Sequence, residues 1–411
     1  MSLKLNEERM SAVKPSATLA MAAKAKGLIK AGAPVMNLSA GEPDFLTPAC
    51  IVDAARAAIG TRASHAYTNP RGTDELVAAM QAKLTREQRV DYKDNEVIST
   101  VGTKGALMLA LDALVGQGDE VVLFAPYWVT YADLVRLAGA KPVVVHTRRE
   151  NGYQPTMADF EASLSPKTKL VVLNSPNNPT GAGWPESVLR AILARLRGTD
   201  IWVISDEIYE KLVYADAAGT EFKHVSPASF DDDARGRTVY VGGVAKAYAM
   251  TGWRVGVAAG PRLAIDAMLT LQGQRTTCAT AVAQVAAAYA LREGPDVQAA
   301  VVDMRAAYTR RRKLVLERAR AIPGLKVHDP EGAFYVFLDV SERIPARVGG
   351  SVITDDVVLA HRLLDEANVA SVMGSAFEGP GCLRVSYAAS EDTLNVGFDR
   401  MAAFFASMTS L

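Results

Sequence analysis

The sequence predicts an α/β fold, a mostly parallel mixed sheet flanked by helices, joined to a smaller α+β domain. Three observations carry this. From about residue 50 to 300, short β-branched runs alternate with helically spaced stretches, the pattern of a parallel sheet with helices on both faces. The runs are nearly continuous in apolar residues, as strands buried on both sides require. After about residue 300 a long charged helix, stopped by Pro323-Gly324, leads into shorter strands.

The elements follow in order. The expected strands of the sheet are 96–102, 120–126, 141–147, 169–176, 201–207, 238–244 and 254–260. KGALMLALDALVG and PESVLRAILARLRG have helical spacing, and ATAVAQVAAAYAL (279–291) reads as a buried helix, too short to span a bilayer. LKVHD, GAFYVFLDV, VASVMG and CLRVSYA are the strands of the second unit. The 411 residues exceed what one core usually organises. The expected division is an N-terminal segment, 1–48, packing with the small domain, a large domain over 49–300 and a small C-terminal domain over 301–411.

Composition removes several function classes. Forty-five basic and forty-five acidic residues cancel, whereas a nucleic-acid protein normally shows a basic excess. The cluster Arg310, Arg311, Arg312, Lys313 shares its helix with Asp303 and Glu317 and reads as a solvated face. Cys50, Cys278 and Cys382 form no C-x-x-C pair, and the five histidines show no metal spacing, so no metal is expected and a reducing cytoplasm fits. MSLKLNEERM has no apolar core of a signal peptide. No membrane partner is expected.

Ligands of open α/β sheets sit beyond the carboxyl ends of the strands, and polar residues gather at those ends. In VGTKGA, Gly102, Thr103 and Lys104 stand where a strand passes into a helix, and free amides at a helix N-terminus favour a phosphate. The stretch matches neither the P-loop nor the dinucleotide fingerprint. NSPNNPTG (174–181) projects Asn178 from a proline-rich turn in which Asn178-Pro179 is a candidate cis bond. In SDEIYE, Asp206 ends a strand and Tyr209 follows three positions on, about one helical turn, so both can face one ligand. A buried carboxylate there calls for a cation, and a protonated ring nitrogen is one. Lys246 sits among small residues in GGVAKAYAMTGWRVG. A desolvated lysine loses its proton more readily and attacks carbonyls, while Arg254, eight positions later, suits a phosphate. Together these outline pyridoxal phosphate, its aldehyde toward Lys246, its ring nitrogen toward Asp206 and its phosphate toward Thr103, Lys104 and Arg254.

GEPDF (41–45), PYW (126–128), NSPNNPTG, SDEIYE, AKAYAMTGWRVG and LRVSYA (383–388) occur in the order seen in class I aminotransferases of pyridoxal phosphate fold type I. The chain resembles most the bacterial aspartate and aspartate/prephenate subgroup, over nearly its whole length. The resemblance implies a large domain that binds the cofactor and a homodimer with shared active sites. It makes Lys246 the Schiff-base lysine and proton carrier, and Asp206 the partner of the ring nitrogen. Tyr209 and Asn178 would bond the ring hydroxyl, and Trp128 would stack on the ring. Arg384 would clamp the substrate's α-carboxylate, assisted by Gly41 and Asn178. Tyr67 would reach the phosphate of the neighbouring subunit.

The chain departs from the pattern at three places. Gly243 stands where many relatives have a phosphate-binding serine, so binding should lean on Arg254 and the helix N-terminus. Met373 replaces a common proline and Cys382 a common histidine, without a functional reading. A dicarboxylic substrate needs a second cation, for which Lys104 is the first candidate, with Arg275 and Arg9 behind it. The expected activity is aspartate:2-oxoglutarate transamination by a ping-pong mechanism, extending to prephenate or aromatic acids. A pyridoxal-phosphate-dependent C–S β-lyase and a non-catalytic cofactor-binding regulator are the competing readings.

Overall fold

The structure, a computed structural model, describes residues 5–216 and 218–411; the Arg9 side chain lies outside what it describes. Seven strands form the central sheet: β1 (Val97–Val101), β2 (Glu120–Ala125), β3 (Lys141–His146), β4 (Thr168–Asn174), β5 (Trp202–Asp206), β6 (Thr238–Gly243) and β7 (Val255–Ala259). Their order is β1-β7-β6-β5-β4-β2-β3. All neighbours are parallel except the pairs that β7 makes with β1 and β6. The sheet is thus parallel and mixed as expected, with each strand within about two residues of its apolar run. Leu170-Val171, Val203-Ile204 and Val239-Tyr240-Val241 are buried on successive positions, which is why no polar alternation marks these strands.

The register places the site. Asn174 lies beside Asp206, and Asp206 beside Val241, so the carboxyl ends of β4, β5 and β6 finish in one row. Helix α1 (Gly102–Leu114) follows β1 with no residue between. Gly102 makes this turn at φ +71°, a conformation that glycine adopts freely. Helix α2 (Thr130–Leu137) leads from the segment after β2 back to the sheet, and α3 (Ala281–Arg292) is the buried helix expected from its alanines.

Helix α4 (Pro295–Arg320) is longer than its charged portion suggested. The expected junction between residues 300 and 301 falls inside it. Beyond it, β8 (Lys326–Val327), β9 (Tyr335–Asp339), β10 (Val372–Met373) and β11 (Cys382–Ser386) form an antiparallel sheet ordered β10-β11-β9-β8. A third small sheet, 346–348 with 351–353 and 409–410, was not foreseen; two- and three-residue strands leave no periodic signal. One core cluster joins Met21, Ala25, Val35 and Leu38 to residues between Met304 and Met408.

The reading of the basic cluster on α4 needs correction. Arg310 and Lys313 are solvated, but Arg311 pairs with Asp44 at 2.8 Å and Arg312 is buried, its Nε donating to Pro330 O at 2.7 Å. Two of the four arginine and lysine residues therefore fasten the chain instead of coating it. Among the described residues, no helix is long and apolar enough to cross a membrane.

Candidate active site

Asp206 ends β5, where the sheet delivers its carboxylate into protein on all sides. Its Oδ2 accepts from the Tyr131 hydroxyl at 2.6 Å and its Oδ1 from the Ile208 amide at 3.2 Å. Burial still pushes its pKa up to about 6, against the lowering by those two donors. Asn174, next to it in register, fixes the strand end by donating to Asp206 O at 2.9 Å. The segment after Asp206 is a series of turns and not a helix, so Tyr209 reaches the site by a tight turn instead of by helical spacing.

Lys246 follows β6 in the segment that leads to β7. Its Nζ donates to Gly41 O at 2.5 Å and stands 5.8 Å from the Phe334 ring centre. Burial pushes its pKa down to about 8; Glu42 opposes that shift, while Arg384 and Arg254 add to it. Gly41 is therefore next to the lysine, brought there by a loop that Arg311 holds at Asp44.

The other end of the cleft is cationic. The residue preceding α1, Val101, offers no side-chain cap, so the first amides of the helix keep no side-chain acceptor. Arg254 lies against this turn: a Cβ on Gly102 would strike its guanidinium. Thr103 Oγ1 donates to Gly242 O at 3.1 Å. Lys104 Nζ lies 4.9 Å from the Trp128 ring centre, and burial followed by the Arg254 charge lowers its pKa. Gly243 has φ +154°, and a Cβ there would sit 3.0 Å from both Thr103 Oγ1 and Val255 O. A side chain at Gly243 would thus crowd the Thr103 hydroxyl, in a backbone conformation that side chains rarely adopt.

Arg384, in β11, is buried. Its Nη1 donates to Asn178 Oδ1 at 3.0 Å and its Nη2 to Ser39 O at 2.8 Å. Its Nε has no partner. The guanidinium lies 4.5 Å from the Tyr335 ring centre and 5.0 Å from that of Phe377. Asn178-Pro179 is cis, as are Ala125-Pro126, Ser175-Pro176 and Ile344-Pro345. A buried guanidinium with an orphaned donor is a site for a planar anion.

The structure therefore gathers Gly41, Gly102, Thr103, Lys104, Trp128, Asn178, Asp206, Tyr209, Lys246, Arg254 and Arg384 around the strand ends. Tyr67 does not join them; it is 87% exposed. Arg275 is engaged in an ion pair with Asp112, which weakens it as a second substrate cation.

The model of the family described as aminotransferase class I and II matches residues 33–400. The chain belongs to the class I and II aminotransferases. An aspartate/prephenate aminotransferase of Thermus thermophilus is 43% identical over 394 residues, 96% of this chain and 97% of that protein. One from Cereibacter sphaeroides is 42% identical over 404 residues, 98% and 99% of the two chains. The solved structure of the Thermus thermophilus aspartate aminotransferase with maleate superposes with a TM-score of 0.91 at 42% identity, covering 98% of this chain and 100% of that one. The aspartate aminotransferase of Rhizobium meliloti gives 0.93 at 37% identity, covering all of both chains.

As an aminotransferase of this class, the protein uses pyridoxal phosphate, and its residues fit that group. The uncapped α1 N-terminus with Arg254 fits a phosphate. The Asp206 carboxylate, lacking a full counter-charge, fits a protonated ring nitrogen. The Lys246 amine fits an aldehyde. Three residues of this aminotransferase escaped the sequence reading: Tyr131, Tyr335 and Ser39. The first two lie in patterns typical of core aromatics, and the third acts through its backbone.

Behind the site, Glu207, Glu210 and His224 are close enough to share an ion. Protein donors already serve them. Glu207 accepts from Ser226 Oγ at 2.7 Å and meets His224 Nε2 at 2.7 Å, while Lys83 and Gln88 hold Glu210.

Proposed function

We propose that this pyridoxal-phosphate-dependent aminotransferase transfers the amino group of aspartate to 2-oxoglutarate, and accepts prephenate or aromatic acids as well. The observation that carries the reading is the pairing, in one cleft, of buried Arg384, whose Nε is free, with a second cation, Lys104, that has no ion-pair partner among the described residues. Two cations suit a dicarboxylate. The curated relatives bear aspartate and prephenate in their names.

When bound, pyridoxal phosphate supplies an aldehyde for amines and an electron-withdrawing ring. The protein does the rest. Asp206 holds the proton on the ring nitrogen, and Tyr131 and the Ile208 amide hold Asp206. Tyr209 and Asn178 address the ring hydroxyl. Arg254 and the amides of Gly102, Thr103 and Lys104 hold the phosphate, and Trp128 covers the ring. Arg384, with Asn178 and Gly41, orients the substrate by its α-carboxylate, and Lys104 takes the distal carboxylate. Lys246 Nζ would move the proton from the substrate's Cα, and burial lowers its pKa to about 8, toward the range in which proton transfer is efficient. A unit of about residues 49–300 that holds the cofactor, and a smaller one that brings Arg384, are part of this reading.

We also infer a homodimer in the cytoplasm. Exposed Tyr67 and Leu46, 87% and 92% accessible, support a covering partner, and Tyr67 would serve the partner's phosphate end. Three free cysteines suit a reducing compartment.

The test is direct. Aspartate and 2-oxoglutarate added to the purified protein should yield oxaloacetate and glutamate, and a panel of prephenate, phenylalanine and cysteine conjugates should rank the substrates. Pyruvate and ammonia from a cysteine conjugate, with no glutamate formed from aspartate, would replace this reading with the lyase.

A further inference from the structure

Tyr335 touches both halves of the site and has no role so far. It lies in β9, fully buried, paired in register with Ser386 on β11, two residues from Arg384. Its hydroxyl is 2.9 Å from the Tyr209 hydroxyl. The two rings meet edge to face, with centres 5.8 Å apart. The same Tyr335 ring lies under the Arg384 guanidinium. A Cβ on Gly41 would be 3.6 Å from the Tyr335 hydroxyl, so the Gly41 backbone passes close to it.

A phenol has one proton to donate but accepts readily. If Tyr209 spent its proton on Tyr335, none would remain for the cofactor's ring hydroxyl. Among the described residues the bond to Tyr209 is the one hydrogen bond of the Tyr335 hydroxyl. Of the charges acting on the Tyr335 hydroxyl the Arg384 cation is the strongest, and a cation favours the oxygen end of a phenol and turns its proton away.

We propose that Tyr335 is a positioning residue whose hydroxyl donates to Tyr209, leaving the Tyr209 proton free to be donated into the cofactor cleft. A hydroxyl that accepts while it donates is polarised and donates more strongly. Tyr335 thereby strengthens the bond that Tyr209 makes to the ring oxygen. The inference rests on the proposed role of Tyr209. The charged groups around the pair are Arg384, Asp206 and Glu42.

The test is Tyr335→Phe, compared with Tyr209→Phe and the double variant in the cofactor-loaded protein. A weaker donor leaves more negative charge on the ring oxygen, which retains a proton in its neighbourhood to higher pH. Tyr335→Phe should raise the pH midpoint of the visible absorption change by at least ~0.5, a fraction of one hydrogen bond. The phenyl ring stays under Arg384, so KM for the amino acid should change less than about twofold. Tyr209→Phe should move the midpoint further in the same direction, and the double variant should equal Tyr209→Phe, as expected of groups acting in series. An unchanged midpoint in Tyr335→Phe overturns the inference. So does a double variant that moves beyond Tyr209→Phe, or a shift matched by an equal rise in KM and a loss of thermal stability. A wild-type protein that takes up no cofactor would sink the site reading together with this inference. A wild type that titrates normally beside an unchanged Tyr335→Phe sinks the inference alone.

Discussion

The Tyr131 hydroxyl donates to Asp206 Oδ2 at 2.6 Å, in a position buried from solvent. It joins the first helix after β2 to the end of β5, 75 residues apart in the chain. A donor to a buried carboxylate favours its charged form, and it is the charged form that retains a ring-nitrogen proton. Tyr131→Phe should therefore fold normally and bind pyridoxal phosphate about 10- to 100-fold more weakly, the range of a lost hydrogen bond to a charged group. Titration of the apoprotein with the cofactor, followed by visible absorption, checks this.

Asp206 carries a stability penalty from burial of its carboxylate, which a protonated ring nitrogen at the proposed site would relieve. Its folded pKa, about 6, lies above the ordinary carboxyl value. A raised carboxyl pKa contributes stability at pH below the unfolded value, and that contribution disappears as pH rises through the folded one. In the cofactor-free protein Asp206→Asn should thus be more stable than wild type at pH 8, by up to ~3 kcal/mol, with the difference gone by about pH 3. Denaturant unfolding at the two pH values measures the difference. The same variant should lose transamination by at least about a hundredfold.

Lys246 acts as a nucleophile only when neutral. With its pKa held near 8 by burial, the rate at which apoprotein captures pyridoxal phosphate should rise through that pH and level above it. Lys246→Ala should form no yellow species at any pH. A rate that keeps climbing to pH 10 would show a solvated amine.

Gly243→Ser would supply the hydroxyl that the family resemblance leads one to expect here and should nevertheless harm this protein. Its Cβ would meet Thr103 Oγ1 and Val255 O at 3.0 Å, in a backbone conformation that side chains rarely adopt. The expected cost is about 1–3 kcal/mol, read as a lower Tm, with no gain in cofactor affinity.

Substrate choice should divide between the cations. Lys104→Ser should raise KM for aspartate at least ~10-fold, as for a lost charged contact, and leave an aromatic amino acid within about threefold. Arg275→Ala should leave both substrates alike, because Asp112 already occupies that guanidinium.

Much of this was legible in the residues. The seven strands of the sheet announced themselves through unbroken β-branched runs, because burial on both faces removes the polar half of the pattern. Lys246, Asp206 and Arg254 stood out because charge at the end of an apolar run is costly without a partner. Tyr131 and Tyr335 stayed hidden for the opposite reason. An aromatic on a helix or a buried strand looks like core, and only the fold shows that Tyr131 meets Asp206 and Tyr335 meets Tyr209. Arg311 was misjudged among its basic neighbours, since its partner Asp44 lies 267 residues away. Gly243 looked like a lost function until its backbone angle and the adjacent Thr103 gave it a local cause.

The row formed by Asn174, Asp206 and Val241 has an evolutionary consequence. Asp206, assigned to the ring nitrogen, hangs from a ladder of backbone bonds, where a slip of one position would turn its side chain to the opposite face. Lys104, assigned to the substrate's far end, stands just outside that ladder, on the first turn of a helix. New acids can be admitted by exchanging that position while the chemistry beneath is inherited unchanged.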